Sequence, residues 1–430
     1  MQKFNFYKFN SINILSYLLI LLPFFLISGS FLSDLSITIL AISIIFYSKD
    51  YKFFKNYFLI FFLIFWILMI VSSSFSNDKI VSYKSSIFYF RFCLFSLFVW
   101  WIIEKNKNIL RNILFALIIS FMIIIFDSMF QYLNGHNIFG MKIIQENRVS
   151  SFFGDELIMG GFLMRLTPLL IALILFHYKG NLNIKYFFLI IISVFLIKFT
   201  IFLSGERTSF FLFLFMSLLF IVFLHDFLKI KILFCIIYLL FGSHLLSNDS
   251  PFKDRLIDNT IKEIKKDSYS EEIYFFTKHH HQIYLTAWNI YKDNKIIGIG
   301  PKSFRNVCSE QKYSSFQGCS THPHNFPLQI LVETGLLGFT IYLILNLFIW
   351  YQLLKSFFLK IFYDSRYLNN FQISLLIAIL ILIWPLSPNG SFFNNWLSIM
   401  IYYPVGFLLW SIRNNKKMYI NLHKIQKFFK

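Results

Sequence analysis

Charged residues are scarce in this chain, 14% of its 430 residues against 57% hydrophobic and 21% aromatic. That balance is too apolar for a soluble fold of this length and fits a polytopic membrane protein. Acidic residues are scarcer still, 21 Asp and Glu against 40 Lys and Arg, which leaves a net charge of +19. The basic residues are scattered between apolar runs rather than gathered into one patch. Such a distribution argues against a nucleic-acid surface and suits a membrane topology. Also missing are a Walker loop, a dinucleotide fingerprint, a G-x-S-x-G elbow and an H-E-x-x-H pair, so nothing supports nucleotide-driven chemistry. Of only four cysteines, Cys93 and Cys235 lie in apolar runs, whereas Cys308 and Cys319 share a polar segment. That second pair matters only if the segment lies outside the cytoplasm, where it reads as a disulfide.

What is present is a succession of apolar runs. Lys3 and Lys8 precede an apolar stretch from Ile12 to Ile27 and the small residues Ser28, Gly29 and Ser30, the layout of a signal peptide. No clean A-x-A site follows and further spans begin at once, so a first transmembrane helix is expected instead. A span needs about 20 apolar residues. Twelve are expected, at 12–30, 31–47, 56–73, 80–103, 109–133, 155–177, 186–203, 208–225, 232–246, 326–354, 371–388 and 393–412.

Positive charge in the short loops sets orientation. Lys49, Lys52, Lys55, Lys105, Lys107, Arg111, Lys179, Lys185, Lys229, Lys231, Lys355, Lys360 and Arg366 fall in alternate loops, which are therefore expected in the cytoplasm together with both termini. The expected division is 1–246 for the first nine helices, 247–325 for a long outward loop, 326–412 for the last three helices and 413–430 for a basic cytoplasmic tail. The loop is too small for an independent enzyme domain. It includes an amphipathic helix expected over about His281 to Asp293, followed by IGIGPKSF.

At the end of that loop stands THPHNFPLQILVETGLLG, Thr321 to Gly338. Asn325 suits an N-cap and Pro327 a first helical turn, which puts His324 just before a helix N-terminus. Unsatisfied N–H groups and the helix dipole attract anions and disfavour a protonated imidazole there, so the position suits a neutral histidine beside a phosphate. The bland reading is a polar flank at a membrane interface. Gly335 and Gly338 fall about 15 Å or more along the helix at 1.5 Å per residue, where missing side chains admit a neighbouring helix.

Two arginines, Arg207 in the turn SGER and Arg148 in RVSSFFGDE, lie in expected outward loops that hold few cations. Each has an alternative as a snorkelling group. Arg91 and Arg165 fall inside expected spans, where a charge costs about 2.5–3.5 kcal/mol and is functional or paired. Lys84, seven residues before Arg91, is expected on the same helix face, and Asp127 is the obvious carboxylate partner. Five of ten histidines, His279, His280, His281, His322 and His324, lie in the outward segment. Three consecutive histidines cannot all face one ion and no Cys/His spacing recurs, so no metal site is expected.

The spacing His324, Asn325, nine residues, Gly335, two residues, Gly338 resembles the H-[N/S/Q]-x9-G-x-x-G/T/Y element of the O-antigen ligase and O-antigen polymerase superfamily. The polytopic layout, the long loop before the element, the SGER turn with Glu206 and Arg207, and WNIYKDNKIIGIGPKSF support the resemblance, which covers nearly the whole chain with the ligase-like domain at about 190–350. The last stretch departs from the family's pattern, with Lys295 where proline is frequent.

What the resemblance implies is an all-α fold of about 12 transmembrane helices in a GT-C-like glycosyltransferase architecture, in a bacterial inner membrane, with one long periplasmic loop between helices 9 and 10. The expected donor is an undecaprenyl-pyrophosphate-linked glycan, and the acceptor a lipid A core or a growing glycan. His324 is then the general base and Arg207 holds the donor pyrophosphate, without cofactor. Further candidates for that pyrophosphate are Arg148, Arg305, Arg91, Arg165 and Lys84. Arg305 and Arg255 are candidates, by loop location, for the family's second essential arginine, and His322 is a neighbour that shapes the loop. Ligase, polymerase and protein glycosylation remain open within this class. From another class, a transporter of polyprenyl-linked glycans would show an internal repeat, and no second THPHN element occurs.

Overall fold

The computed structural model describes residues 3–145, 148–178, 184–247, 253–264, 274 and 276–428, whose regular structure is helical with no strand among them. In chain order the helices are α1 Lys3–Ile20, α2 Leu22–Ser28, α3 Ser30–Tyr47, α4 Tyr57–Ser73, α5 Lys79–Ile87, α6 Phe90–Lys105, α7 Ile109–Asn134, α8 Met159–Tyr178, α9 Ile184–Leu203, α10 Arg207–Phe223 and α11 Leu228–Ser247. After them come α12 Asn259–Ile264, α13 Lys278–Asp293, α14 Phe326–Tyr363, α15 Asn370–Leu382 and α16 Asn395–Phe428. Of the cytoplasmic-loop cations expected above, Lys179 lies outside the described residues.

The expected spans overlap helices, although 12–30 divides between α1 and α2 and 371–388 runs past the end of α15 at Leu382. Among the described residues, six stretches are long and apolar enough, by length and composition, to cross a membrane: α3, Lys79–Lys105, α7, α8, α14 and α16 as far as Arg413. Shorter apolar helices are α4, Ile191–Leu203 of α9, α10 and α15. Large side chains such as Phe31, Phe46, Phe126 and Phe348 stand exposed on these helices, as expected where lipid rather than water is the solvent.

The centre of the bundle is α6, buried from Phe92 to Ile103, with α3 and α16 packed against it and α15 against α8. Gly406 permits the α6–α16 contact, because a Cβ there would lie 2.5 Å from the Ser96 carbonyl oxygen. Ser96 Oγ in turn donates to the Tyr402 carbonyl at 2.7 Å.

Two expectations change in detail. The span at 80–103 lies within the apolar stretch Lys79–Lys105, which a turn at Phe88 and Tyr89 divides into α5 and α6. Tyr89 is buried among Phe62, Phe92, Phe393 and Tyr402, and the Ser86 carbonyl at the break accepts from Trp66 Nε1 at 2.9 Å. Lys84 on α5 is exposed while Arg91 on α6 is half-buried.

The second correction concerns Gly335, which interrupts α14 at φ 69° and ψ −171°. What approaches it is a loop rather than a helix. Ile299 and Gly300 N–H donate to the Val332 and Glu333 carbonyls at 3.1 and 2.9 Å, and Leu336 N–H donates to the Lys295 carbonyl at 2.8 Å. The loop thus satisfies backbone groups that the break frees. A Cβ on Gly298 would lie 2.5 Å from Gly335 N, and one on Gly335 would collide with the Ile296 carbonyl. Both glycines carry positive φ, so the crossing depends on their conformations as well as their size. Gly338 instead faces Thr334 of its own helix and Phe65 of α4.

Candidate functional site at the start of α14

Asn325 caps α14, accepting from Leu328 N at 3.1 Å. Its Nδ2 donates to the Pro385 and Ser387 carbonyls at 2.9 and 3.3 Å, which ties the helix start to the α15–α16 connection. Asn389 N donates to the His324 carbonyl at 2.8 Å. Held from both sides, His324 adopts φ 55°, a left-handed conformation rare outside glycine that persists only where the surroundings impose it.

His324 Nε2 and Ser320 Oγ are hydrogen-bonded at 3.0 Å. Ser320 follows Cys319, which is disulfide-bonded to Cys308 across a Cα–Cα distance of 5.0 Å. The disulfide anchors the strap that supplies this hydroxyl. The ring of His322 lies 4.0 Å from that of His324, but both its nitrogens are engaged, Nδ1 with Thr321 Oγ1 at 2.9 Å and Nε2 with the Asn389 carbonyl at 3.3 Å. His322 therefore shapes the loop.

A third histidine enters from α13. Thr277 caps that helix, and its Oγ1 meets His280 Nδ1 at 2.8 Å. The His280 ring then stands 5.7 Å from His324 at 84°. Burial lowers all three imidazoles below the usual histidine range, His280 to about 4 and His322 to about 3, with repulsion from His324 adding to it at His280 and His322, and repulsion from His279 at His324. The row is neutral near pH 7. Among the described residues no three His, Cys, Asp or Glu side chains form a metal-ligand set.

At the His280 end lie Arg207 and Glu263, both of which act electrostatically on His280. Arg207 Nε donates to the Arg255 carbonyl at 2.9 Å, and its two terminal nitrogens fork onto Glu263 at 2.7 and 3.0 Å. Arg255 Nε returns a bond to the Gly205 carbonyl at 3.0 Å. Arg148 donates to the Leu157 carbonyl at 3.3 Å and, more weakly, to that of Ser204 at 3.4 Å. Burial, then the charges of Arg148 and Arg207, push the Arg255 guanidinium below its ordinary range. Three cations thus share one neighbourhood, oriented by backbone carbonyls.

Glu206 has a separate role in the same turn. Its carboxylate accepts from Gly160 and Gly161 N–H of α8 at 2.6 and 2.9 Å and from Ser209 Oγ at 2.7 Å. A carboxylate at a helix N-terminus neutralises orphan donors and the positive end of the dipole, so Glu206 locks the turn that presents Arg207. Arg165 lies on α8 beside Gly161 and Glu206.

Arg91 pairs with Asp34 at 2.7 Å. The expected partner Asp127 instead accepts from Ile138 N at 2.9 Å and from Ser151 Oγ, which staples the loop after α7. Arg305, on the short turn Phe304–Val307, is exposed and acts on His322. Lys84 is exposed on α5. Sequence reasoning missed His280 as an individual residue because HHH drew attention as a metal pattern; Thr277 as N-cap was the available signal for its position.

An all-helical bundle with an apolar exterior, carrying neutral histidines between clustered cations, fits a polytopic membrane protein. Residues 191–343 match the family model described as O-antigen ligase. That segment, which includes Arg207, His280, His324, Gly335 and Gly338, falls in the O-antigen ligase and polymerase superfamily, and the match supports a membrane glycosyltransferase of the ligase or polymerase type. No curated protein matches the chain.

Proposed function

We propose that this chain transfers a glycan from a polyprenyl-pyrophosphate donor to an acceptor hydroxyl at the periplasmic face of a bacterial inner membrane, with both termini in the cytoplasm. The observation that carries this reading is the row from Arg207 through His280 to His324, which sets a neutral base beside an arginine fork suited to an anion. His324 removes the proton of the acceptor hydroxyl, whose oxygen attacks the anomeric carbon. The bond from that carbon to the pyrophosphate oxygen breaks, the polyprenyl pyrophosphate leaves with the electron pair, and the configuration inverts. A base that is unprotonated near pH 7 suits the first step. Arginines fixed by backbone carbonyls suit the second, because their charge needs no reorganisation as the leaving group develops.

Glu263 occupies the Arg207 fork in the geometry of a bidentate carboxylate, which in this reading stands where donor phosphate oxygens sit. With its side chain 42% exposed, the pair is worth no more than about 1 kcal/mol, little enough for a pyrophosphate to displace. The acceptor is a lipid A core in the ligase version of this reading and a growing glycan in the polymerase version. Charge reversal at Arg207 should abolish binding of an undecaprenyl-pyrophosphate-linked oligosaccharide to the purified protein, and unchanged binding would remove Arg207 from the donor site.

A further inference from the structure

The histidine row is held by a segment that lies outside it. Asn389, between α15 and α16, donates its N–H to the His324 carbonyl at 2.8 Å, and its own carbonyl meets His322 Nε2 at 3.3 Å. Ser391 and Phe392 follow Asn389 after Gly390, and both are tied to α14 by one pair of side chains, Gln329 and Glu333. Gln329 Oε1 accepts from Phe392 N at 2.8 Å, while its Nε2 donates to Ser391 Oγ at 3.0 Å and to Glu333 Oε2 at 2.9 Å. Glu333 Oε1 accepts from Phe304 N at 3.1 Å. Its backbone carbonyl accepts from Ser72 Oγ at 2.6 Å and from Gly300 N at 2.9 Å. The pair thus joins the α15–α16 connection, the start of α14 and the loop that crosses Gly335.

The polarity of the pair is determined by its surroundings. Backbone N–H groups, Phe392 N and Phe304 N, stand at its two outer ends, and each requires an acceptor. The contact in the middle requires one donor and one acceptor. One amide and one carboxylate meet these conditions together. Two amides do not: with both oxygens turned outward, two NH₂ groups face each other, and turning either amide sets its NH₂ against a backbone N–H. Both side chains are 0% exposed, so bulk water does not relieve such a mismatch. Exchanging the two residues does meet the conditions. The carboxylate then accepts from Phe392 N and Ser391 Oγ, the amide oxygen accepts from Phe304 N, and the amide nitrogen closes the middle contact.

We propose that Gln329 and Glu333 are positioning residues for glycan transfer, and that their amide–carboxylate polarity sets the placement of His324 through Phe392, Ser391 and Asn389. The inference rests on His324 being the base. Neither residue touches substrate in it; they fix the α15–α16 connection against α14, and Asn389 on that connection holds the left-handed His324 backbone.

Steady-state transfer by the full chain in lipid nanodiscs tests this, with an undecaprenyl-pyrophosphate-linked trisaccharide as donor and a lipid A core or the same trisaccharide lipid as acceptor. A reacting group displaced by about 1 Å loses up to about a hundredfold in rate, so Glu333→Gln should lower kcat per folded molecule at least about tenfold while donor affinity holds. Gln329→Glu combined with Glu333→Gln should restore kcat to within about threefold of wild type, the non-additivity expected of a directly coupled pair. Ser391→Ala removes a single half-buried hydroxyl from the connection and should show a smaller loss of kcat, again at unchanged donor affinity. An unchanged kcat per folded molecule in Glu333→Gln, with only thermal stability lowered, would make the pair structural and overturn the proposal. So would an exchanged variant no faster than Glu333→Gln alone. Should Glu333→Gln fail to fold, the other two variants decide: a folded, active exchange with a slowed Ser391→Ala supports the proposal, and an exchange that is unfolded or slow, or a Ser391→Ala at the wild-type rate, overturns it. Transfer near the wild-type rate by His324→Ala would instead remove the base itself, an outcome distinct from any result at Gln329 or Glu333.

Discussion

The rings of His280 and His324 stand edge-on, 5.7 Å apart at 84°, although one belongs to α13 and the other precedes α14. Their contact covers the proposed base with a second neutral imidazole. Burial is the largest cause of the lowered proton affinity of His324, so removing its cover should raise that affinity.

The pH dependence follows in sign. The folded row binds fewer protons than the unfolded chain between pH about 6.5 and about 3, so stability at these positions is constant above that window and falls as pH drops through it. The transfer rate should stay flat from pH 8 to about 6.5 and decline only below. In His280→Ala the acid limb should move upward toward 6.5. A wild-type limb already at 6.5 or above, in steady-state rates against pH, would contradict the neutral row.

Glu263→Gln should free the Arg207 fork. Because the pair is exposed and worth at most about 1 kcal/mol, donor affinity should rise by no more than about fivefold. A direct binding titration showing weaker donor binding would mean that Glu263 helps to hold the donor.

Much of the N-terminal side of the site was legible from residue types. Asn325 and Pro327 announced the start of α14, and the apolar runs announced the helices. The break at Gly335 was not legible, because its apolar run continues on both sides and the cause lies in backbone bonds from Lys295 to Gly300. Nor was the Arg91 partner. Asp127 and Asp34 are both carboxylates within expected spans, and only the packing of α3 on α6 decides between them.

Gly335→Ala should destabilise the protein by more than about 1 kcal/mol, since alanine is strained at positive φ and its methyl would meet the Ile296 carbonyl. Gly338→Ala, at ordinary helical φ against a side chain that can rotate, should cost less. Thermal unfolding in detergent compares them, and an equal or larger loss at Gly338 would contradict the crossing of loop and helix.

Replacing Cys308 and Cys319 by serine should remove about 2–3 kcal/mol of constraint on an 11-residue separation by the loop-entropy rule. Because Ser320 is tethered through Cys319, transfer should slow as well, and dithiothreitol on the wild type should reproduce the slowing. An unchanged rate after verified reduction would show that the Ser320–His324 bond does not depend on the disulfide.

The most direct measurement is glycan transfer by purified His324→Ala with a defined undecaprenyl-pyrophosphate-linked donor, alongside donor affinity of the same sample. A general base contributes about 10²–10⁴-fold, so transfer should fall by at least a hundredfold while donor affinity holds. Transfer within a few fold of wild type at equal protein and intact donor binding would contradict the assignment of His324 as the base.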